Sequence, residues 1–312
     1  MMLASESDCL LFQQSLHCAI LRFCETPRTQ SQIQTHCSIH PPAAVSAALK
    51  ELIAKRVLTT KVFPESRRDA AFWASTGVSP QPCEVDLQTH GSVPDALLRN
   101  ALSSYSIAID AAAFIALVAV DDYLQPDLAR YLNHPKPFLL AKPVGASIWI
   151  GPIFTPQSRP CWNCLRLWML PHRWLQFSRF CSSQPNLAPQ PSLAATNATL
   201  ATAAGLISTA VAIWSSSRRH PRLENRTVTL DVRTLESQQH VLRPHPDCPT
   251  CGSLARPIGE LRQLVSPITG IVNKLDLTDR PAGALFHAAA QVVHALPSHA
   301  VTSVLPPQRT IG

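Results

Sequence analysis

Two Cys-x-x-Cys pairs, Cys161-Trp-Asn-Cys164 and Cys248-Pro-Thr-Cys251, are the residues whose type and spacing could do chemistry in this chain. Two residues between cysteines let both sulfurs of one turn converge on a single tetrahedral ion, so together the pairs read as a four-thiolate zinc site. Gly252 follows the second pair, where a left-handed backbone would let the turn close around the metal. Residues 165–247 separate the pairs, so the ion would clamp two distant parts of one domain. Two other readings of the same residues stay open: ordinary buried thiols, or a redox pair. Neither motif sits in a thioredoxin-like βαβ pattern. Four thiolates leave no open position for water or substrate, so zinc here would be structural.

Other chemistry is thinner. Asp121-Asp122 closes the apolar run Ala116–Val120 and could ligate Mg²⁺ or cap the segment that follows; the end of a strand favours capping. An adenylating site needs a glycine-rich phosphate turn between strand and helix. The chain has ten glycines and no G-x-G-x-x-G, and its nearest candidate, Thr89-His-Gly91-Ser-Val93, has one glycine. No ATP is therefore expected to bind to this chain itself.

At 312 residues there is room for about two domains. Apolar residues make up 46% and charged residues 15%, which permits sizeable cores and argues against global disorder. The net charge of +7 raises nucleic acid as a partner, but residues 1–90 hold eight Lys/Arg against eight Asp/Glu. The basic excess is spread over 91–312, as on a solvated surface. No basic-then-apolar N-terminus suggests a signal peptide, and no apolar run is expected to reach a membrane span. The expected location is the cytoplasm, where thiols stay reduced. Cys9, Cys18, Cys24, Cys37, Cys83 and Cys181 are scattered, and most of them read as small buried hydrophobes.

The elements that would position these residues begin with a strand at 8–13 and a helix at 15–24. Thr29-Gln-Ser-Gln32 is a capping box opening a second helix. Val45, Ala48, Leu49, Leu52 and Ile53 form the apolar stripe of a third, and Val57–Phe63 reads as a wing. Strand, three helices and wing make a winged helix-turn-helix layout. Residues 64–82 read as a polar linker. Short apolar runs then alternate with helical stretches: Glu84–Leu87, 93–104, Ile107–Ile109, Ala116–Val120, 125–133, Phe138–Leu140 and Ile148–Ile150. That alternation predicts an α/β domain with a largely parallel sheet. Helices are expected at 161–180 and 193–217, a loop at 182–192, and a strand pair at Thr227–Asp231 and Gln239–Leu242.

Val120-Asp-Asp-Tyr-Leu124, Trp149-Ile-Gly-Pro-Ile-Phe154, Cys161-Trp-Asn-Cys164-Leu165, Leu230-Asp231, His240 and Pro246-Asp-Cys-Pro-Thr-Cys-Gly252 occur in that order. The series resembles the E1-like (ThiF-like) partner proteins of YcaO cyclodehydratases, which serve the biosynthesis of thiazole/oxazole-modified microcins. The resemblance covers roughly residues 8–275. It implies an N-terminal winged helix that binds a precursor leader peptide, a RiPP recognition element, by adding the leader to its own edge strand. Carried onto this chain, the receiving strand is 9–13, with Cys9, Leu10, Leu11 and Phe12, and the groove helix is 43–56, with Val45, Leu49 and Leu52. Plain core is the alternative role for Leu11, Val45 and Leu49. Residues 264–275 resemble the opening of a YcaO domain.

The implied organisation is a winged-helix domain at 1–63, a linker at 64–83, an E1-like α/β zinc domain at 84–258, and a truncated YcaO-like start with a tail at 259–312. The implied function is a non-catalytic recognition subunit: it captures the leader and docks on a YcaO partner that performs the ATP-dependent cyclisation. A homodimer is left open; membrane and nucleic acid are not expected partners. Two other functions compete: an E1-like enzyme adenylating a peptide C-terminus, and a zinc-stabilised winged-helix regulator that binds DNA. The missing glycine loop counts against the first, and the neutral charge of residues 1–90 against the second.

Overall fold

A computed structural model of the chain describes residues 1–4, 9–55, 57–58, 67–156, 159–178, 191–251, 266, 268–269, 272–276 and 289–292. Outside these lie most of the expected wing (59–63), the start of the linker, Cys181, most of the 182–192 loop, Gly252 and much of the expected YcaO-like segment. The chain divides into two compact units. One comprises Met1–Cys83 with Ala212–Arg219; the other comprises Glu84–Val211 with His220–Gly312.

The first unit opens with an antiparallel ribbon of β1 (Met2–Ala4) and β2 (Cys9–Leu11), in register Met2↔Leu11 to Ala4↔Cys9. Strand β1 escapes sequence reading because three residues carry no periodicity. Three helices follow: α1 (Ser15–Phe23), α2 (Gln30–His36) and α3 (Pro42–Ala54). The capping box at α2 is formed. Gln32 N–H donates to Thr29 Oγ1 at 3.2 Å, and Thr29 N–H donates to Gln32 Oε1 at 2.9 Å. Pro42 occupies the first turn of α3, where its missing N–H costs nothing. Phe12, Ile20, Leu21, Ile33, Cys37, Val45, Ala48 and Leu52 close into one core. A fully buried aliphatic side chain of this kind contributes about 1.5–3 kcal/mol.

The stretch expected to be a linker contains helix α4 (Arg67–Thr76). Its buried Trp73 gives a local reason for order that the polar, Ser- and Arg-containing composition hides.

The second unit is built on a seven-stranded sheet. Its strands are β3 (Cys83–Thr89), β4 (Ile107–Ile109), β5 (Ile115–Ala119), β6 (Phe138–Lys142), β7 (Ser147–Phe154), β8 (Arg226–Asp231) and β9 (Ser237–Val241), in the order β4-β3-β5-β6-β7-β8-β9. Strands β3, β5 and β6 run parallel. Strands β6, β7, β8 and β9 run antiparallel in sequence. The sheet is therefore mixed, which corrects the expectation of a largely parallel one. Strands β5 and β6 are buried along their whole length and read as unbroken apolar runs. The later strands carry polar residues on one face, as antiparallel strands with one solvated side do.

Helix α5 (Asp95–Ser103), a 3-10 helix (Pro126–Asn133) and helix α6 (Trp162–Ser178) also belong to this unit, while helix α7 (Asn197–Ser217) runs through residues of both units. A further antiparallel pair, β10 (Val272–Asp276) with β11 (Ala289–Val292), falls within the expected YcaO-like segment and tail. Helix α7 corrects another expectation. Its 21 uncharged residues are long and apolar enough to cross a membrane by length and composition, with half of the most apolar window buried inside the protein.

Candidate metal centre

The two cysteine pairs, far apart in sequence, come together within the second unit. The first pair sits at the N-terminus of α6, whose face of Trp162, Leu165, Trp168 and Met169 packs on Val118, Phe138, Leu140 and Phe154 of the sheet. Trp162 Nε1 donates to the Tyr123 carbonyl at 3.0 Å, and the Tyr123 hydroxyl donates to the Gly151 carbonyl at 2.6 Å. These bonds lock the start of α6 to the segment after β5 and to the middle of β7. The second pair follows β9 and is delivered by Leu242, which is buried in the same core. Trp168 Nε1 donates to the Arg243 carbonyl at 3.0 Å, and the Trp168 and His245 rings lie 4.6 Å apart.

All four sulfurs lie within 4.8 Å of one another. The Cys161–Cys164 separation is 4.0 Å, Cys161–Cys248 is 3.6 Å and Cys164–Cys251 is 3.2 Å. A tetrahedral ion with Zn–S bonds of ~2.3 Å requires sulfurs ~3.8 Å apart, whereas a disulfide requires ~2.05 Å. The observed spacing suits the former. Cys164 and Cys248 are buried, and Cys161 and Cys251 are half-buried.

The four thiols also interact electrostatically. The Cys161–Cys164 contact draws the Cys161 thiol down, while the same contact and burial push Cys164 up. Neighbouring thiols resist ionising together, and a metal charge between them would stabilise all four as thiolates. Two donors already face the sulfurs: His245 N–H to Cys164 at 3.2 Å, and Asn163 Nδ2 to Cys248 at 3.8 Å. Asn163 has no periodicity or motif to announce it; only its place between the two cysteines marks it. The donor set therefore fits zinc, held by Cys161, Cys164, Cys248 and Cys251.

The first βα turn of the sheet, from β3 to α5, is where a phosphate would meet a helix N-terminus. Here the Asp121 carboxylate fills it. Ser92 N–H donates to Asp121 Oδ2 at 2.7 Å, Gln125 Nε2 donates to Oδ1, and a side chain on Gly91 would collide with the same carboxylate. Asp122 accepts from Leu124 N–H at 2.9 Å and forms a two-pronged ion pair with Arg173, at 2.6 Å for each contact. Both acids are spent on holding the chain.

The residues expected to receive a leader divide by exposure. Leu11 is 65% exposed on β2, and Leu10 and Leu49 are half-buried. Phe12, Val45 and Leu52 lie inside the core. They shape the surface from beneath. The side chain of Cys9 lies outside the described residues.

No protein-family model matches the sequence, and no curated protein matches it significantly. Solved structures do. A heterocyclase in complex with substrate and cofactor superimposes with a TM-score of 0.78 at 27% identity, over 93% of this chain and 45% of that one. The heterocyclase TruD superimposes with a TM-score of 0.70 at 29% identity, over 87% of this chain and 46% of that one. E. coli MccB with MccA gives a TM-score of 0.48 at 13% identity, over 81% and 95% of the two chains. The chain thus spans about half the length of the two heterocyclases it resembles.

Proposed function

We propose that the chain is the recognition subunit of an azoline-forming cyclodehydratase: it binds the leader of a ribosomal precursor peptide, presents the core to an ATP-dependent YcaO partner, and is not itself catalytic. The likeness to two heterocyclases over 87–93% of this chain carries the reading. On this reading residues 1–63 are a winged-helix leader-binding domain, 64–83 connect it, 84–258 are the E1-like domain, and 259–312 are the opening of a YcaO-like segment and a tail.

Strand β2 pairs with β1 on one side, and no described strand pairs with its other side. An extended leader can add there through main-chain hydrogen bonds, with Leu10, Leu11 and Leu49 giving side-chain contacts and Phe12, Val45 and Leu52 fixing their positions. Tethering the leader raises the effective concentration of the core at the partner's active site. Zinc held by the four cysteines joins the start of α6 to the segment after β9. Reduced cysteines of this kind suit the cytoplasm. Asp121 in the βα turn disfavours adenylation by this chain, because a phosphate there would meet a carboxylate.

The test is fluorescence anisotropy of the purified chain with a fluorescein-labelled leader from a neighbouring small open reading frame, beside a labelled random DNA duplex. Micromolar or tighter leader binding, abolished by a proline placed mid-leader, is the expected result. DNA binding with a steep salt dependence and no leader binding would overturn the proposal in favour of a regulator.

A further inference from the structure

A cavity of about 610 Å³ is walled by α6 on one side and by β7, β8, β9 and the turn after β6 on the other, and none of the four cysteines lines it. Its charged groups are mostly spoken for. Asp122 pairs with Arg173, and Asp231 takes Arg233 at 2.7 Å. Lys142 is different. It ends β6 at 7% exposure, donates to the Val144 carbonyl at 2.6 Å, and lies with Nζ 5.9 Å from the centre of the Trp149 ring. Among the described residues no carboxylate forms an ion pair with it.

The turn that holds Lys142 is built closely around it. Gly145 has φ +95°, and a Cβ there would stand 2.6 Å from Lys142 Nζ and 2.8 Å from the Ser192 carbonyl. A buried ammonium with one carbonyl partner is costly, and a counter-charge supplied by a ligand would relieve that cost. Burial also draws its pKa below the ordinary lysine value, with Asp122 pulling the other way.

We infer that this cavity binds a carboxylate-bearing ligand, with the carboxylate paired to Lys142 Nζ and the apolar body lying against Trp149 and Met169. The charge of the walls selects a carboxylate over a phosphate. Glu236 lines the same space without a cation of its own among the described residues, so a second negative charge on the ligand would be repelled. Both arginines are already committed to carboxylates, so no guanidinium fork is left for a phosphate. The carboxylate can come from a free organic acid or from the C-terminus of a peptide.

Isothermal titration of the full chain separates these sources. One series pairs phenylacetate with phenylacetamide; the other pairs N-acetyl-alanyl-phenylalanine with its C-terminal amide. In at least one series the acid should bind and its amide should bind about tenfold more weakly, the loss expected for one charge-assisted contact. Lys142→Met should erase that difference while zinc content and circular dichroism stay unchanged. Should the variant not fold, acetylation of Lys142 in the wild-type chain, read by peptide mass mapping, gives the same answer: the acid protects and the amide does not. Equal binding of acid and amide, a difference that survives Lys142→Met, or no binding of either acid at millimolar concentration would overturn the inference.

Discussion

Replacing Cys164 with serine tests the metal centre where it is most sensitive. Cys164 is fully buried, touches Cys251 at 3.2 Å and accepts the His245 N–H at 3.2 Å. A serine hydroxyl keeps its proton at neutral pH and is a poor ligand for zinc. Structural zinc contributes roughly 10–16 kcal/mol of apparent free energy, so an even share for one of four sulfur bonds is ~2.5–4 kcal/mol. For a domain of 150–250 residues each kcal/mol moves Tm by ~2–4 °C, so the variant should melt ~5–16 °C lower. The decisive assay couples zinc released per chain, measured with a chromogenic chelator, to the melting curve by circular dichroism. Cys18→Ser serves as the control: its thiol donates to the Phe12 carbonyl at 3.4 Å in the first unit, and its zinc content should match wild type. A Cys164→Ser protein that keeps one equivalent of zinc, or that is metal-free and melts with wild type, would refute the metal reading.

Gly151 holds φ +91°, and a Cβ there would strike the Arg226 carbonyl, so Gly151→Ala should cost roughly 1–3 kcal/mol; an unchanged Tm would show that β7 can move aside. Leu11→Ser should weaken leader binding and leave the melting curve in place, because Leu11 is exposed. Val45→Ala should lower stability by about 2 kcal/mol because Val45 is buried in the core. Leader affinity indifferent to Leu11 would remove β2 from the receiving surface. Burial, helped by nearby His172, holds His240 down to about 4, whereas an unfolded histidine titrates near ~6.5. As pH falls through that window the unfolded state takes up the proton first, so stability should drop by about 3 kcal/mol. His240→Gln keeps a polar group facing Thr229, removes the titrating ring and should flatten that acid limb; identical limbs in the two proteins would refute the assignment.

What the sequence reveals and hides follows from how local each signal is. The four cysteines and the Thr29–Gln32 box are legible because residue type and spacing alone define them. The runs that became β5 and β6 are legible because strands buried on both faces leave no polar position. Strand direction is not legible. Ile148-Trp-Ile150 and Thr227–Asp231 alternate as strands in either orientation do, and only the Pro143–Ala146 turn between β6 and β7 reverses the chain. Helix α4 hides because, among its described side chains, the buried one is the Trp73 indole, set in a polar composition. Lys142 left a trace, a charged residue closing the apolar run Phe138–Ala141, but its partners Val144 and Trp149 depend on that same reversal. The proposed leader surface is legible only in part, since periodicity marks Val45, Leu49 and Leu52 as one stripe without saying which of them reaches solvent.

The β3–α5 turn bears on where ATP chemistry would sit. A helix N-terminus attracts an anion through its free N–H groups and its dipole. In this chain the Asp121 carboxylate takes the Ser92 N–H, and Asp95 occupies the first turn of α5. A phosphate arriving there would have to displace Asp121, break its bonds to Ser92 and Gln125, and meet the charge of Asp95. Gly91 adds a steric condition, since its position is open only to a residue without a side chain while Asp121 stays in place. The turn therefore works as an internal staple between β3 and β5. That supports the proposal that nucleotide chemistry belongs to a partner, and it makes a specific demand: Asp121→Asn should loosen the turn without creating ATP affinity, whereas nucleotide binding gained by that single change would mean that the fold's anion site is only masked.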